Sequence, residues 1–193
     1  MPPIIREATP DDAAFLVRVI DMASEGFMPT LWDAMAPDGT DGFAVGLAQV
    51  AAEDGEFSHR HGYVLEADGA ALGAMIGYPL PATPEPVEPD IPDAFVAVQG
   101  LVSLVPHHWY INIIAVVPEH RGEGLGTALL NAAEARARDS GCPGLALVVA
   151  ASNTGAVRKY QRAGFREQAR RPFDLSDFGV EPTDAILMVK DIA

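Results

Sequence analysis

The chain has 193 residues, 49% of them hydrophobic, and a formal net charge of −14 from 13 basic and 27 acidic side chains. That length fits one globular domain, residues 1–193, and the apolar share is too high for a disordered chain. The acidic balance excludes nucleic acid as the main partner, because phosphate binding needs a positive surface. No apolar run reaches the roughly 18 residues of a membrane span, so no membrane partner is expected. The N-terminal residues lack a basic stretch followed by an apolar one, so a soluble cytoplasmic protein is expected. Cys142 is the single cysteine, which excludes an internal disulfide and a cysteine-built zinc site. No metal is expected.

The charge is uneven. Residues 121–171 carry nine basic side chains and four acids, +5, against −19 for the remainder. This division fits an anionic ligand in the C-terminal half and a cationic one facing the rest, and it equally fits solvated helix faces.

In chain order, Ile4 to Ala8 reads as a strand. Thr9-Pro10-Asp11-Asp12 reads as a helix start, with a cap, a proline and two acids at the positive end. Ala13, Leu16, Val17 and Ile20 continue it at helical spacing. A second helix is expected from Phe43 to about Glu53. Residues 62–67 and 71–78 read as strands around the hairpin turn Ala67-Asp68-Gly69-Ala70. Residues 81–93, with five prolines and four acids, read as a loop. Residues 94–105 are ambiguous between helix and strand. Tyr110 to Val117 is a branched-residue strand ended by Pro118, and Gly124 to about Asp139 is a helix ended by Gly141. Leu145 to Ala150 reads as a strand covered on both faces. Residues 154–163 form a short helix. Phe165 to Phe173 and Ala185 to Val189 read as closing strands.

The chemistry concentrates at Val117-Pro118-Glu119-His120-Arg121-Gly122-Glu123-Gly124-Leu125-Gly126. A strand stops, a glycine-rich turn follows, and a helix begins. Free amides in the first helical turn, together with the helix dipole, suit a diphosphate, and Arg121 can add charge-assisted hydrogen bonds. The Walker pattern needs Lys and then Ser or Thr after its last glycine, whereas Thr127 and Ala128 follow Gly126. The dinucleotide fingerprint needs an acid about 20 residues on, where Ala146 lies in an apolar run. A tight packing turn remains the plain alternative for this motif alone.

A second motif follows the next strand, from Asn153 to Phe165. In these two motifs the chain resembles the GNAT superfamily of acetyl-CoA-dependent N-acetyltransferases. Arg121 to Gly126 resembles its Arg/Gln-x-x-Gly-x-Gly/Ala pyrophosphate motif. Asn153, Ala156, Tyr160, Gly164 and Phe165 resemble its later Asn-x-x-Ala-x-x-x-Tyr-x-x-x-Gly-Phe pattern. The resemblance implies a mixed α/β fold: a mostly antiparallel, twisted sheet of six to seven strands flanked by helices, with two splayed central parallel strands. It also implies acetyl-CoA as co-substrate. The pantetheine arm would pair with the backbone of Ile114, Ala115 and Val116. The pyrophosphate would sit on the amides of Gly122, Glu123, Gly124, Leu125, Gly126 and Thr127, beside Arg121.

The reaction so implied is acetylation of a primary amine of a small molecule by direct attack in a ternary complex, with no acyl-enzyme. Tyr160 is the candidate general acid for the departing thiolate, and otherwise a core tyrosine bonded to a backbone carbonyl. Asn153 would hold the pantetheine, cap the next helix, or both. Where the superfamily often carries a glutamate, this chain has Asn112 and Val148. Asn112 could hold a water that takes the proton, and His107 or His108 could act as base. Glu119 reads as solvent-facing, and Cys142 has no partner marking it as a nucleophile. Phe27, Trp32, Trp109 and Tyr110 are candidates to line an acceptor pocket or to fill the core. Two other functions stay open: an acyl-CoA-binding module without turnover, and a peptide or protein N-terminal acetyltransferase. A homodimer also stays open.

Overall fold

The computed structural model describes residues 2–84 and 93–192. Seven strands form a sheet in the order β1-β2-β3-β4-β5-β7-β6. They are β1 (Ile4–Glu7), β2 (Gly62–Ala67), β3 (Ala70–Pro79), β4 (Trp109–Val116), β5 (Gly144–Ala150), β6 (Arg166–Phe173) and β7 (Thr183–Asp191). The helices are α1 (Ala13–Ala23), α2 (Phe27–Met35), α3 (Gly42–Ala51), α4 (Asp93–Val102), α5 (Leu125–Asp139) and α6 (Thr154–Arg162). β4 and β5 run parallel and share the register pairs Trp109 with Leu145 and Tyr110 with Ala146. The pairs β1–β2, β2–β3, β5–β7 and β6–β7 are antiparallel. The expected mixed, mostly antiparallel sheet with two central parallel strands and flanking helices is therefore present. Among the described residues no helix is long and apolar enough to cross a membrane.

The chain divides into two compact units, one running to Gly77 together with Asn112–Ala132, the other Tyr78–Ile111 together with the chain from Ala133. In the first, the turn between β2 and β3 places Asp68 and Gly69 at φ 50° and 78°, which matches the right-handed twist of a two-residue hairpin. Leu16, Val19, Ile20, Trp32, Val50, Val64, Leu65, Met75 and Ile76 are fully or almost fully buried. Helices α2 and α3 pack closely because Gly46 has no side chain: a Cβ there would lie 2.6 Å from the Trp32 ring. Asp33 at the end of α2 accepts from the Gly42 amide at 2.7 Å, which ties the two helices. Residues 27–35, for which no element is expected from the sequence, form α2.

The start of α1 is tied to the sheet by charge. Arg6 of β1 donates to both oxygens of Asp12, at 2.8 and 2.9 Å, and to Glu66 of β2 at 2.8 Å. Asp12 also accepts from the Thr9 amide at 2.8 Å. Arg6 chiefly, then Thr9, holds the Asp12 carboxyl down at about 2. Its pKa is depressed in the folded state, so its contribution is present above the ordinary carboxylate pKa of about 4 and is lost as pH falls through 2. Asp12→Asn is expected to cost on the order of 2 kcal/mol at pH 7. Urea unfolding at pH 7 and at pH 2 checks this, since the difference between wild type and variant should shrink at the lower pH.

In the second unit, β5 pairs with β7 over its whole length, from Gly144 with Asp191 to Ala150 with Ala185. A core of Leu80, Leu101, Val105, Tyr110, Ala146, Ala185, Leu187 and Val189 lies under α4. The ambiguous stretch 94–105 is helix as far as Val102, with Leu101 on its buried side, and turns at 103–105. The Pro-rich loop proposed at 81–93 lies mostly outside the described residues. β6 ends the strand order and is largely exposed at Arg166, Arg170 and Pro172, while the Arg171 guanidinium lies against Gly100 of α4. Glu134 of α5 accepts from Lys190 of β7 at 2.6 Å, and that bond chiefly lowers the Glu134 pKa.

Candidate active site

The glycine-rich turn has the form its sequence predicts. Pro118–His120 makes one 3₁₀ turn after β4, and α5 starts at Leu125. Gly122 and Gly124 sit at φ 89° and 84°, a left-handed conformation that side chains other than glycine rarely adopt. Among the described residues, the amides of Gly122, Glu123, Gly124, Leu125 and Gly126 donate to no other part of the chain. The Thr127 amide differs from the expectation: it donates to Gly124 O at 3.0 Å, closing the first turn of the helix. Arg121 is exposed, and its Nε donates to Val116 O at 3.2 Å. His120 Nδ1 lies 3.2 Å from a Glu123 carboxylate oxygen, inside the same turn.

Gly126 is the informative glycine. It sits in regular helix, yet a Cβ built there meets nothing within 4 Å. Neither backbone conformation nor packing within the chain calls for glycine at this position. Open space over unpaired helix-start amides is what an anion needs.

β4 holds Asn112, Ile114, Ala115 and Val116, all half-buried. On one side the strand is bound to β3, where Val117 N donates to Leu72 O at 2.9 Å. The Asn112 side chain donates to Glu56 O at 3.3 Å. Neither Asn112 nor Val148 is acidic, and His107 and His108 precede the strand. His107 is exposed at φ 63°, and His108 Nδ1 lies 3.1 Å from Pro106 O.

In the second unit, Asn153 caps α6, accepting from the Ala156 amide at 3.0 Å. Tyr160 lies two turns along that helix. Its ring meets Phe165 at 5.8 Å between centroids. Burial pushes its phenol up to about 12, so it stays protonated at neutral pH. Among the described residues its hydroxyl has no hydrogen-bond partner, unlike a core tyrosine tied to a carbonyl. Cys142 is buried and burial pushes its thiol up, the opposite of an activated nucleophile.

The four aromatics considered for an acceptor pocket belong to the core. Phe27, Trp32, Trp109 and Tyr110 are all buried. Tyr110 packs edge-on against Tyr78 at 6.0 Å. No group of three or more His, Cys, Asp or Glu among the described residues is placed to hold a metal ion.

Comparison with known proteins follows the same lines. Residues 28–165 match the model of the acetyltransferase (GNAT) family. An uncharacterised N-acetyltransferase of Methanocaldococcus jannaschii is 43% identical over 58 residues, 30% of this chain and 26% of that protein. A mycothiol acetyltransferase of Thermobispora bispora is 34% identical over 89 residues, 38% of this chain and 30% of that protein. The chain thus matches less than a third of the length of either curated relative. A solved acetyltransferase structure, 20% identical, superposes with a TM-score of 0.67 over 98% of this chain and 100% of its own. That likeness concerns the fold. With its family model covering most of the sequence, this chain belongs to the acetyltransferase (GNAT) family.

Proposed function

We propose that this protein transfers an acetyl group from acetyl-CoA to a primary amine of a small molecule by direct attack. The observation that carries the reading is the open, unpaired amide turn ending in Gly126, within a chain of this family. The amides of Gly122 to Gly126 and the dipole of α5 would hold the pyrophosphate, with Arg121 adding charge. The backbone of Ile114, Ala115 and Val116 would pair with the pantetheine arm. Asn153, besides capping α6, would bond the same arm.

The amine lone pair attacks the thioester carbonyl, the carbon–sulfur bond breaks, and the electron pair leaves on sulfur. Tyr160 gives its phenolic proton to that sulfur and regains one from solvent. The attacking nitrogen loses its proton to water, which Asn112 would help to position. His107 and His108, which precede β4, are the alternative proton acceptors.

Gly126→Ala tests the cofactor assignment. Alanine is the better helix former, so the free protein should be as stable as wild type or up to about 1 kcal/mol more stable. Acetyl-CoA should raise the Tm of wild type. In the variant the same concentration should give a clearly smaller rise, because the methyl group occupies the anion's space. An equal rise in both proteins would place the cofactor elsewhere. Thiol release on an amine panel tests the reaction: tight acetyl-CoA binding without acceptor-dependent release would favour a binding module, and release only with peptides would favour N-terminal acetylation.

A further inference from the structure

β3 is not a regular strand. Leu65 of β2 pairs with Gly73, but the next residue, Glu66, pairs with Ala71, so Leu72 is an extra residue on β3. A bulge of this kind bends its strand and re-aims what lies beside it. What lies beside it is β4, the other neighbour of β3 in the sheet. Leu72 O accepts from the Val117 amide at 2.9 Å, just past the end of β4 and before the glycine-rich turn.

Gly73 is buried next to the bulge and is not among the glycines with positive φ, so its own backbone does not call for glycine. Its surroundings do. A Cβ there would lie 2.8 Å from Ala115 O and 3.2 Å from Val116 Cα. Both are main-chain atoms of β4, which cannot swing aside as the end of a side chain can. Glycine inside a strand marks a place where another backbone comes this close. Ala115 O therefore faces β3, as does the Val117 amide. A trans peptide carries its N–H and C=O on opposite sides. Val116 thus turns both its amide and its carbonyl away from β3, and Arg121 Nε meets that carbonyl at 3.2 Å.

We propose that Gly73 is a positioning residue for the acetyl-CoA arm. By admitting Ala115 O against β3, it sets the direction in which Val116 presents its backbone groups to the pantetheine. This rests on the acetyl-CoA reading above and adds a residue to that site. Gly73 acts only through Ala115 and Val116. All three belong to one compact unit with the glycine-rich turn. The turn is shaped by its own glycines, Gly122 and Gly124, six and eight residues beyond Val116, so a displaced Val116 should disturb the diphosphate site little.

Two probes separate the arm from the diphosphate: acetyl-CoA and ADP, each titrated by calorimetry into wild type, Gly73→Ala and Val117→Pro. Alanine at 73 pushes on Ala115 O. Proline at 117 adds nothing to β3, fits the φ of −54° already present, and removes the amide that Leu72 O accepts from. Near-UV circular dichroism establishes that each variant is folded at the titration temperature, and if Gly73→Ala does not fold, Val117→Pro decides. The folded variants should raise the Kd for acetyl-CoA about tenfold, since the shift is smaller than the 1 Å misplacement that costs roughly 10²-fold. The Kd for ADP should stay that of wild type. A glycine needed only for packing would weaken both probes alike or neither, and either result would overturn the role of Gly73 while leaving acetyl-CoA binding in place. Wild type that binds neither probe would overturn the acetyl-CoA reading and this inference with it.

Discussion

Tyr160→Phe is expected to lower turnover by roughly 10²–10⁴-fold, the usual range for a general acid, while leaving the Kd for acetyl-CoA nearly unchanged. The substitution removes one oxygen and keeps the ring that packs on Phe165. Burial holds the phenol at about 12, so the proton is in place throughout the neutral range. Its bond to sulfur becomes strong only as negative charge develops there, which is why the ground state should feel little. Single-turnover thiol release and equilibrium titration of acetyl-CoA separate the two effects. Full activity in the variant would make Tyr160 a packing residue.

The second large effect is on pH. An amine acceptor has a pKa near 10 and must lose its proton before attack. With water as acceptor, kcat/KM should rise about tenfold per pH unit from neutrality until the amine itself titrates. A histidine base would instead add a limb near pH ~6.5. Such a limb, abolished by His107→Ala or His108→Ala, would show the water assignment to be wrong. Assays should stay below pH 10. The Tyr160 pKa is raised by burial, so its contribution to stability is full below the unfolded value of about 10 and declines as pH climbs toward 12.

The sheet and the glycine turn were legible because both are written locally. β5 reads as a run of apolar residues, and Gly122 and Gly124 have a backbone reason that spacing alone conveys. Helix α2 was not legible. Its nine residues include Pro29 and hold their place through Trp32 packing over Gly46, a contact distant in sequence. Residues 94–105 failed for a related reason: a short apolar run fits a buried helix as well as a strand, and packing under α4 decides. The aromatics stayed open between pocket and core because an indole fits either until its neighbours are known, and their burial places them in the core. Trp32 is core, and it also donates to Gln49 and meets the Phe57 ring edge-on. The contact of the Asn112 side chain with the Glu56 carbonyl spans 56 positions, and no pattern announces it.

The last strand of the sheet has a consequence for life in a crowded solution. An outermost strand is a template for cross-β growth wherever its backbone is flat and uncharged. β6 is neither: its register with β7 shifts between Glu167 and Ala169, and Pro172 brings no amide to donate. Arg166 and Arg170 stand beside Asp191 and Asp184, so a strand arriving from another molecule must strip water from ion pairs before it gains a hydrogen bond. This border therefore resists fibril seeding, and the arginines that the charge map marks as basic surface serve there as gatekeepers against polymerisation.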